Sequence, residues 1–397
     1  MRLMIQPQTN HEPNDRRCPD IVIGRRIIIC CDGTWQSSVS SAINIPSNVT
    51  RLARSFAQTD EDETSGIVWQ QLVYYSSGVG TDKSINFLER VRQATFGDGL
   101  DAEIFRAYNF IVNNYALGDK IYCFGFSRGA FTARSVAGLV TDIGIIRPAE
   151  MCDFPALWKI YQDHDSSHTF RKSAQYRQWI TGVRDGKGHW AHWPHTLPPE
   201  STRHVHVVGV FDTVGALGIP GFGLFESIDT LGIPATKWAK PALNLVIQYL
   251  SFSGLDKIGF HNTSLSPYIE HAYHALSLDE HRKPFTPTLW KLPKKEHILP
   301  KRPQCQCCDN PELNVRQRMN DLAEASDKDR YTLEKRLSKA WEHMIDFATY
   351  DEPREEPELK QVWFPGTHTN IGGGNPGILH GLPYDYEREP LIIFFGP

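Results

Sequence analysis

Residues 120–140, KIYCFGFSRGAFTARSVAGLV, form the stretch from which the fold is best predicted. Residues 120–126 are largely apolar, which is typical of a strand buried on both faces of a parallel sheet. Residues 128–140 follow at once with small side chains on one face, as expected of a helix that packs closely against that strand. The stretch therefore predicts a strand, a tight turn and a helix in direct succession.

The same alternation of strands and helices continues on both sides of this stretch. Helices are predicted from Ser47 or Asn48 onward and over residues 101–116, where apolar residues recur at helical spacing. The order of strands and helices predicts an α/β fold of the α/β-hydrolase type, with a mostly parallel central sheet, helices on both faces and helical insertions. Strands are predicted in residues 27–31, 67–75, 203–212 and 360–368, while HAYHALSLDE (271–280) fits either a strand or a buried helix.

The remaining segments predict how the domain is bounded. Residues 1–24 are polar and rich in Pro, Asn and Arg, and we expect a disordered lead-in there. Residues 25–397 are predicted to form a single domain with insertions near 150–203, 219–265 and 300–348. The last insertion includes a charged helix over 310–348 that is expected to be exposed to solvent.

Composition excludes several classes of protein. The chain has 397 residues, of which 40% are hydrophobic and 22% charged, with a net charge of −4, so it can bury a sizeable core and has no basic surplus for nucleic acid. It shows neither a secretory signal nor an apolar run of roughly 18 residues, and a soluble, cytoplasmic protein is expected. No cofactor or metal is expected, because Cys305, Cys307 and Cys308 in QCQCCD lack a second ligand pair and fit a surface loop.

Gly125-Phe126-Ser127-Arg128-Gly129 matches the nucleophile-elbow pattern G-x-S-x-G. In this pattern a serine leaves the strand end on a strained turn, so that its hydroxyl projects into the site. The following helix offers backbone N–H groups, Arg128 first, to an oxyanion. The alternative is a tight turn without chemistry, but the flanking strand and helix favour Ser127 as a nucleophile.

A serine needs a base and an orienting acid, and position along the chain selects them. Asp212 and His368 each follow a predicted strand after Ser127, in the order serine, acid, histidine. Asp212 could otherwise cap a turn, and His368 could bond a strand-end turn. His204 and His206 alternate along a strand and are expected to be structural. The alternatives left open are Asp256 and Asp279 as the acid, and His261, His271 and His274 as the base.

Cys31-Asp32-Gly33-Thr34-Trp35 ends the first predicted strand at the same edge of the sheet. The N–H of Gly33 or Thr34 could supply a second oxyanion donor beside that of Arg128. Asp32 could contact substrate, or a divalent cation if another carboxylate joins it. The alternative is a common Asp-Gly turn that ends the strand.

Taken together, CDGTW (31–35), GFSRGA (125–130), FDTVGALG (211–218), HALSLDEHR (274–282) and FPGTHTNIGGG (364–374) resemble an uncharacterised α/β-hydrolase domain family. That family is related to the phospholipase effectors of bacterial type VI secretion. The resemblance covers residues 25–375 and implies a Ser-Asp-His triad of Ser127, Asp212 and His368. It also implies acyl esters of lipids as substrates.

Two features depart from the family pattern. Family members usually have Asp two residues after the motif histidine, where this chain has Asn370. The family domain also continues past the triple glycine with another helix, whereas this chain ends in the apolar tail LIIFFGP, which implies a shortened or altered carboxyl end.

The first functional hypothesis is ester hydrolysis through an acyl-enzyme, with a lipid or phospholipid as the partner and peripheral contact with a membrane. Apolar material in residues 219–265 could form a lid or acyl pocket, or a helical insertion that packs on the core. A catalytically impaired binding or scaffold protein is the alternative from another class. A thioesterase or peptidase would use the same residues, and the sequence carries no signal for oligomeric state.

Overall fold

The structure is a computed structural model. It describes residues 23–33, 46–62, 64–78, 98–164, 167–185, 187, 189–214, 262–282, 285–298, 310–351, 354–373, 378–379 and 382–383. Some sequence-based predictions lie outside these residues: Thr34, Asp256, His261, the 305–308 cysteines, most of the 219–265 insertion, the apolar tail and the lead-in up to residue 22.

A seven-stranded sheet runs through the described residues. Its strands are β1 (Ile23–Cys31), β2 (Thr59–Asp62), β3 (Ile67–Ser76), β4 (Lys120–Phe126), β7 (Val205–Phe211), β8 (Ile269–Ser277) and β9 (Glu358–Phe364). They pair in the order β2-β3-β1-β4-β7-β8-β9. Every neighbouring pair is parallel except the β2–β3 pair at one edge, which confirms the predicted mostly parallel sheet. Two small hairpins pair β5 (Val183–Arg184) with β6 (Trp190–His192) and β10 (Ile378–Leu379) with β11 (Leu382–Pro383).

The central strands are apolar throughout because both faces of the sheet are covered. In β1, Ile27 and Ile29 belong to one buried cluster while Ile28 and Cys30 belong to the cluster on the other face. A strand with this double burial loses the alternation of polar and apolar residues seen in half-exposed strands. The unbroken apolar run of β1 is therefore a direct consequence of its place inside the sheet.

Helices lie on both faces of the sheet. The described helices are α1 (Asn48–Ser55), α2 (Asp98–Asn114), α3 (Arg128–Ile143), α4 (Phe154–Gln162), α5 (Ala174–Thr181), α6 (Lys295–Ile298), α7 (Pro311–Ala323), α8 (Asp327–Asp351) and α9 (His368–Gly372). Val49 of α1 packs in one buried cluster, and Ile104 of α2 packs in the other together with α3. Among the described residues, no helix combines the length and the apolar character needed to cross a bilayer.

The long helix α8 differs from its prediction. Its apolar residues Leu337, Trp341 and Ile345 are buried in the main core, so the prediction of a solvent-exposed helix is wrong for this face. The indole N–H of Trp341 donates to the carbonyl oxygen of Arg171 at 2.7 Å, which joins α8 to the 150–203 insertion. The spacing of four residues is that of an amphipathic helix, obscured in the sequence by its many charged residues.

The order of strands also positions the site. The chain passes from β1 to β3 on one side and then returns to place β4 on the other side of β1. At such a reversal the connections leave in opposite directions and open a crevice at the carboxyl ends of the strands. Asp32 and Ser127 follow β1 and β4 directly, so both lie at this crevice.

Candidate active site

Ser127 occupies a strained turn between β4 and α3. Its φ of 57° and ψ of −122° are unusual for a residue with a side chain. The flanking glycines allow the close packing of this turn. A Cβ on Gly125 would lie 2.4 Å from the carbonyl oxygen of Gly129, and a Cβ on Gly129 would lie 2.3 Å from the carbonyl oxygen of Cys31. Both distances are far below van der Waals contact, so only glycine fits either position.

The residues that follow β4 and β7 are tied to the neighbouring strands by main-chain hydrogen bonds that continue the sheet pairing beyond the strand ends. The N–H of Ser127 donates to the carbonyl oxygen of Phe211 at 3.1 Å. The N–H of Asp212, one residue further, donates to the carbonyl oxygen of Ala275 at 2.7 Å. Asp212 also has a positive φ, of 41°, which turns the chain sharply at the end of β7. These bonds hold Ser127 and Asp212 side by side at the carboxyl ends of the central strands.

A continuous chain of hydrogen bonds connects Ser127, His368 and Asp212. The Nε2 atom of His368 lies 2.8 Å from the Oγ of Ser127, and its Nδ1 lies 2.6 Å from the Oδ2 of Asp212. All three residues are buried, Asp212 completely. Because a carboxylate can only accept, Nδ1 carries the hydrogen and the Nε2 lone pair faces the serine hydroxyl. In this arrangement a histidine can remove the serine proton.

Ser277, at the end of β8, fixes the carboxylate of Asp212 and was not predicted from the sequence. Its hydroxyl donates to the Oδ2 of Asp212 at 2.7 Å, and its N–H donates to the Oδ1 at 3.3 Å. A buried carboxylate needs such partners, because it has lost its hydration. The sequence signal for this residue is its place at the end of an apolar strand within the HALSLDEHR motif.

The residues that follow Ser277 hold the turn that carries His368. Asp279 donates its N–H to the carbonyl oxygen of Gly366 at 3.0 Å, and its Oδ2 accepts the Gly366 N–H at 2.7 Å. The Oε2 of Glu280 accepts the N–H of His368 at 3.3 Å. A side-chain hydrogen bond from Arg282 lowers the pKa of Glu280 to about 2, so this carboxylate stays charged. Asp279, an alternative acid in the sequence, thus bonds the backbone of the His368 turn.

Aromatic rings contact the imidazole of His368. The ring centroids of Phe126 and Phe285 lie 4.8 Å and 4.7 Å from that of His368. A Cβ on Gly372 would lie 2.0 Å from the Phe126 ring, and one on Gly33 would lie 2.6 Å from it. These two glycines therefore let the chain approach Phe126 closely from two segments distant in sequence. The apolar rings restrict both water and the motion of the imidazole.

His274, an alternative base, is engaged elsewhere in the structure. Its Nε2 accepts the N–H of Thr213 at 3.1 Å, so the lone pair needed by a base is already occupied. Burial, reinforced by the charge of Arg134, lowers the pKa of His274 to about 4. The neutral ring thus supports the residue that follows Asp212. His271, the other described alternative to His368 as the base, lies near the start of β8, where its Nδ1 hydrogen-bonds Glu358.

Asp32 is buried and accepts four hydrogen bonds. Its Oδ2 accepts from the hydroxyls of Ser47 at 2.5 Å, Thr50 at 2.8 Å and Tyr75 at 2.7 Å, while its Oδ1 accepts from the N–H of Gly33 at 2.8 Å. These donors match the acceptor capacity of a carboxylate. A substrate or ion contact, expected from the sequence, would have to displace one of them. The Gly33 N–H, expected as an oxyanion donor, is likewise engaged.

Glu103 of α2 and Arg128, the residue after Ser127, shift each other's pKa through their charges. Burial raises the pKa of Glu103 to about 7, although the positive charge of Arg128 acts in the opposite direction. Burial also lowers the pKa of Arg128. The N–H of Arg128 belongs to the first turn of α3, at the positive end of the helix dipole and directly after Ser127.

Asn370 accepts two hydrogen bonds from Thr367 in the turn after β9. Its Oδ1 accepts the N–H of Thr367 at 2.9 Å and the hydroxyl of Thr367 at 2.8 Å. The first contact forms a capping box at the start of α9, together with the Thr367 side chain, which accepts the backbone N–H of Asn370. An amide oxygen accepts both bonds as a carboxylate oxygen would, so this turn forms without the aspartate that the sequence resemblance led us to expect.

Comparison with known proteins identifies the family to which this chain belongs. Residues 25–382 match the model of a family described as the type VI secretion system phospholipase effector Tle1-like catalytic domain. The chain belongs to this family. The Tle1-like match begins within β1 and includes every residue of the site described above.

Individual relatives of the Tle1-like chain are distant. It is 23% identical over 428 residues to uncharacterized protein YEL023C of Saccharomyces cerevisiae, covering 88% of this chain and 53% of that protein. A structure of the Tle1 effector bound to the VgrG spike of the Type 6 secretion system aligns with a TM-score of 0.36 and 16% identity, over 93% of this chain and 56% of that one. An uncharacterized protein from Pseudomonas aeruginosa aligns with a TM-score of 0.33 and 15% identity, over 90% and 42%. The chain thus spans about half the length of these relatives.

Proposed function

We propose that this Tle1-like domain is a serine hydrolase that cleaves carboxylic esters of lipids, with phospholipid acyl esters as the favoured substrates. The hydrogen-bond chain from Ser127 through His368 to Asp212, at 2.8 Å and 2.6 Å, carries the proposal. The strained φ of 57° at Ser127 supports it, because such backbone strain is concentrated at catalytic positions. The description of the family to which the chain belongs names phospholipase effectors, which supports a lipid ester as the substrate.

The chemistry follows from the three side chains. His368 Nε2 takes the proton of the Ser127 hydroxyl while Oγ attacks the ester carbonyl carbon, and the carbonyl oxygen becomes an oxyanion. Asp212 stabilises the imidazolium through Nδ1–H. When the tetrahedral intermediate collapses, the C–O bond to the alcohol breaks and His368 returns the proton to the leaving alcohol. Water then attacks the acyl-enzyme with the same base, which releases the fatty acid and restores the serine.

The oxyanion is proposed to bind backbone N–H groups at the start of α3. The Arg128 N–H is the first donor, since it follows the nucleophile directly and adds to the positive end of the helix dipole. For the second donor we propose Thr34, because the Gly33 N–H donates to Asp32. A lipid substrate also requires peripheral contact of the domain with a membrane or micelle surface.

Labelling with a fluorophosphonate probe tests the hydrolase. Wild-type protein should be labelled, Ser127→Ala should not, and Ser135→Ala should behave like the wild type because the Ser135 hydroxyl donates to the carbonyl oxygen of Phe131 within its own helix. Absence of labelling in well-folded wild-type protein would reject the hydrolase and favour the binding or scaffold alternative.

Substrate preference tests the lipid part separately. Release of fatty acid from phosphatidylcholine vesicles is compared with hydrolysis of p-nitrophenyl esters of short and long acyl chains. We expect vesicle hydrolysis and a rise in kcat/KM with chain length, both lost in Ser127→Ala. A labelled enzyme that prefers short esters and leaves vesicles intact would refute the lipid assignment and retain the hydrolase.

A further inference from the structure

Two histidines and a glutamate lie close together at the amino ends of the strands, whereas Ser127 lies at the carboxyl ends. His206 lies near the start of β7, and Glu270 and His271 lie near the start of β8. One potential ligand atom from each residue lies within 4.8 Å of the other two. The imidazole rings are perpendicular, with centroids 5.4 Å apart, and all three residues are at least partly open to solvent.

We propose that His206, Glu270 and His271 bind a divalent transition-metal ion, with Zn²⁺ as the expected ion. Imidazole nitrogens and a carboxylate oxygen are ligands that Zn²⁺ prefers, and three protein ligands leave a fourth position for water. Ligand atoms around a tetrahedral Zn²⁺ lie roughly 3.4 Å apart, so ligand atoms separated by as much as 4.8 Å have to approach by up to about 1.4 Å. The half-exposed Glu270 side chain can supply this movement by a rotamer change.

Surrounding residues orient His271 for this role. Its Nδ1 lies 2.7 Å from the Oε2 of Glu358 on β9, which also accepts the Tyr273 hydroxyl at 3.1 Å. Lys360 binds the other carboxylate oxygen of Glu358 at 2.7 Å. An imidazole whose Nδ1–H is held by a carboxylate presents Nε2 as a basic ligand, which is the usual arrangement behind metal-bound histidines.

His206 and Glu270 are in direct contact, since the Nδ1 of His206 hydrogen-bonds the Oε2 of Glu270. Without an ion, the cluster is thus two histidine–carboxylate pairs on neighbouring strands, His206–Glu270 and His271–Glu358. An ion would join His206 on β7 to Glu270 and His271 on β8, and Glu358 would extend the connection to β9. The expected consequence is stabilisation of this end of the sheet.

The proposed zinc site is far from the proposed site of ester hydrolysis. His271 and Ser277 are six residues apart on one strand, which corresponds to about 20 Å at 3.3 Å per residue. An ion there cannot touch the reacting ester at Ser127. The proposal therefore stands or falls independently of the proposed function.

Calorimetric titration of the EDTA-treated full chain with ZnCl₂ tests the proposal. We expect one equivalent to bind and the Tm to rise with zinc concentration, because an ion that binds only the folded state stabilises it by mass action. His206→Ala and His271→Ala should each weaken binding at least tenfold, and Glu358→Gln should weaken it about tenfold through His271. The Tm of each variant without zinc shows that it folds.

Two controls separate this site from other zinc ligands. His189→Ala removes an exposed histidine that also faces a carboxylate, at 3.5 Å from Asp185, and it should bind zinc like the wild type. A variant with Cys305, Cys307 and Cys308 replaced by Ser should do the same. The proposal is overturned if the wild type binds no zinc, if His206→Ala and His271→Ala bind it unchanged, or if only the cysteine variant loses it.

Discussion

The buried hydroxyl of Ser277 offers a direct test of how Asp212 is held. Ser277→Ala removes the 2.7 Å hydrogen bond to the Asp212 Oδ2 and leaves the weaker N–H contact at 3.3 Å. Asp212 has no exposed surface, so water cannot replace the lost donor without rearrangement. A hydrogen bond to a charged group contributes about 1.5–3 kcal/mol.

The effect on catalysis follows from this energy. If the carboxylate no longer orients the imidazolium of His368, the loss is felt in the transition state, where the imidazolium forms. Only the part of this energy that the bond gains in the transition state lowers kcat/KM, so the expected fall for a p-nitrophenyl ester is at most about 150-fold, at about 1.36 kcal/mol for each factor of ten. The part already present in the free protein should instead lower the Tm of Ser277→Ala.

Ser135→Ala is the matched control, because Ser135 and Ser277 are both 3% exposed. The Ser135 hydroxyl donates to the carbonyl oxygen of Phe131 in its own helix, at 2.9 Å, and Ser135 lies eight residues beyond Ser127, about 12 Å along α3. Its kcat/KM should stay within about twofold of the wild type. A cooperatively folded Ser277→Ala protein with wild-type kcat/KM would refute the role assigned to Asp212 or its dependence on Ser277.

Three further predictions concern stability. Gly129→Ala puts a Cβ 2.3 Å from the Cys31 carbonyl oxygen and should lower the free energy of unfolding by about 1–3 kcal/mol or more in urea; unchanged stability would contradict that close contact. Glu103 keeps its proton to a pKa of about 7 when folded, against an ordinary value of 4.5, so it stabilises the fold at low pH and loses this effect as pH rises. The unfolding free energy of Glu103→Gln relative to the wild type should therefore increase by about 2 kcal/mol from pH 4.5 to 6.5, and a constant difference would argue against the raised pKa. Asn370→Asp should keep both hydrogen bonds from Thr367, change stability by at most about 1 kcal/mol and leave kcat within about twofold; a tenfold loss of kcat would show that the charge matters.

Much of the fold was predictable because its signals are local. The apolar run of residues 120–126, the small residues of 128–140 and the Ser47 cap each act within a few positions, and the structure has β4, α3 and α1 there. HAYHALSLDE was ambiguous, since a short apolar run fits a buried strand or a buried helix. Its neighbours in the sheet resolve it, because β8 pairs with β7 on one side and β9 on the other.

The site was predictable only in outline. Residue type and position after a strand selected Ser127, Asp212 and His368, but the same criteria left Asp279 and His274 open. The structure separates these candidates by their hydrogen bonds, with Asp279 on the Gly366 backbone and His274 on the Thr213 N–H. No periodicity in the sequence reports which buried atom a side chain will meet.

The amino-acid sequence thus sets the strands and helices, the tight glycine turn around Ser127 and the candidates for its chemistry. Folding sets which of them meet, since His368 is 241 residues from Ser127 and 156 from Asp212 along the chain. The support from Ser277 and Glu280, the engaged N–H of Gly33 and the cluster of His206, Glu270 and His271 belong to the folded protein alone. Propensity acts between near neighbours in the chain, whereas these contacts depend on the pairing and register of strands that are distant in sequence.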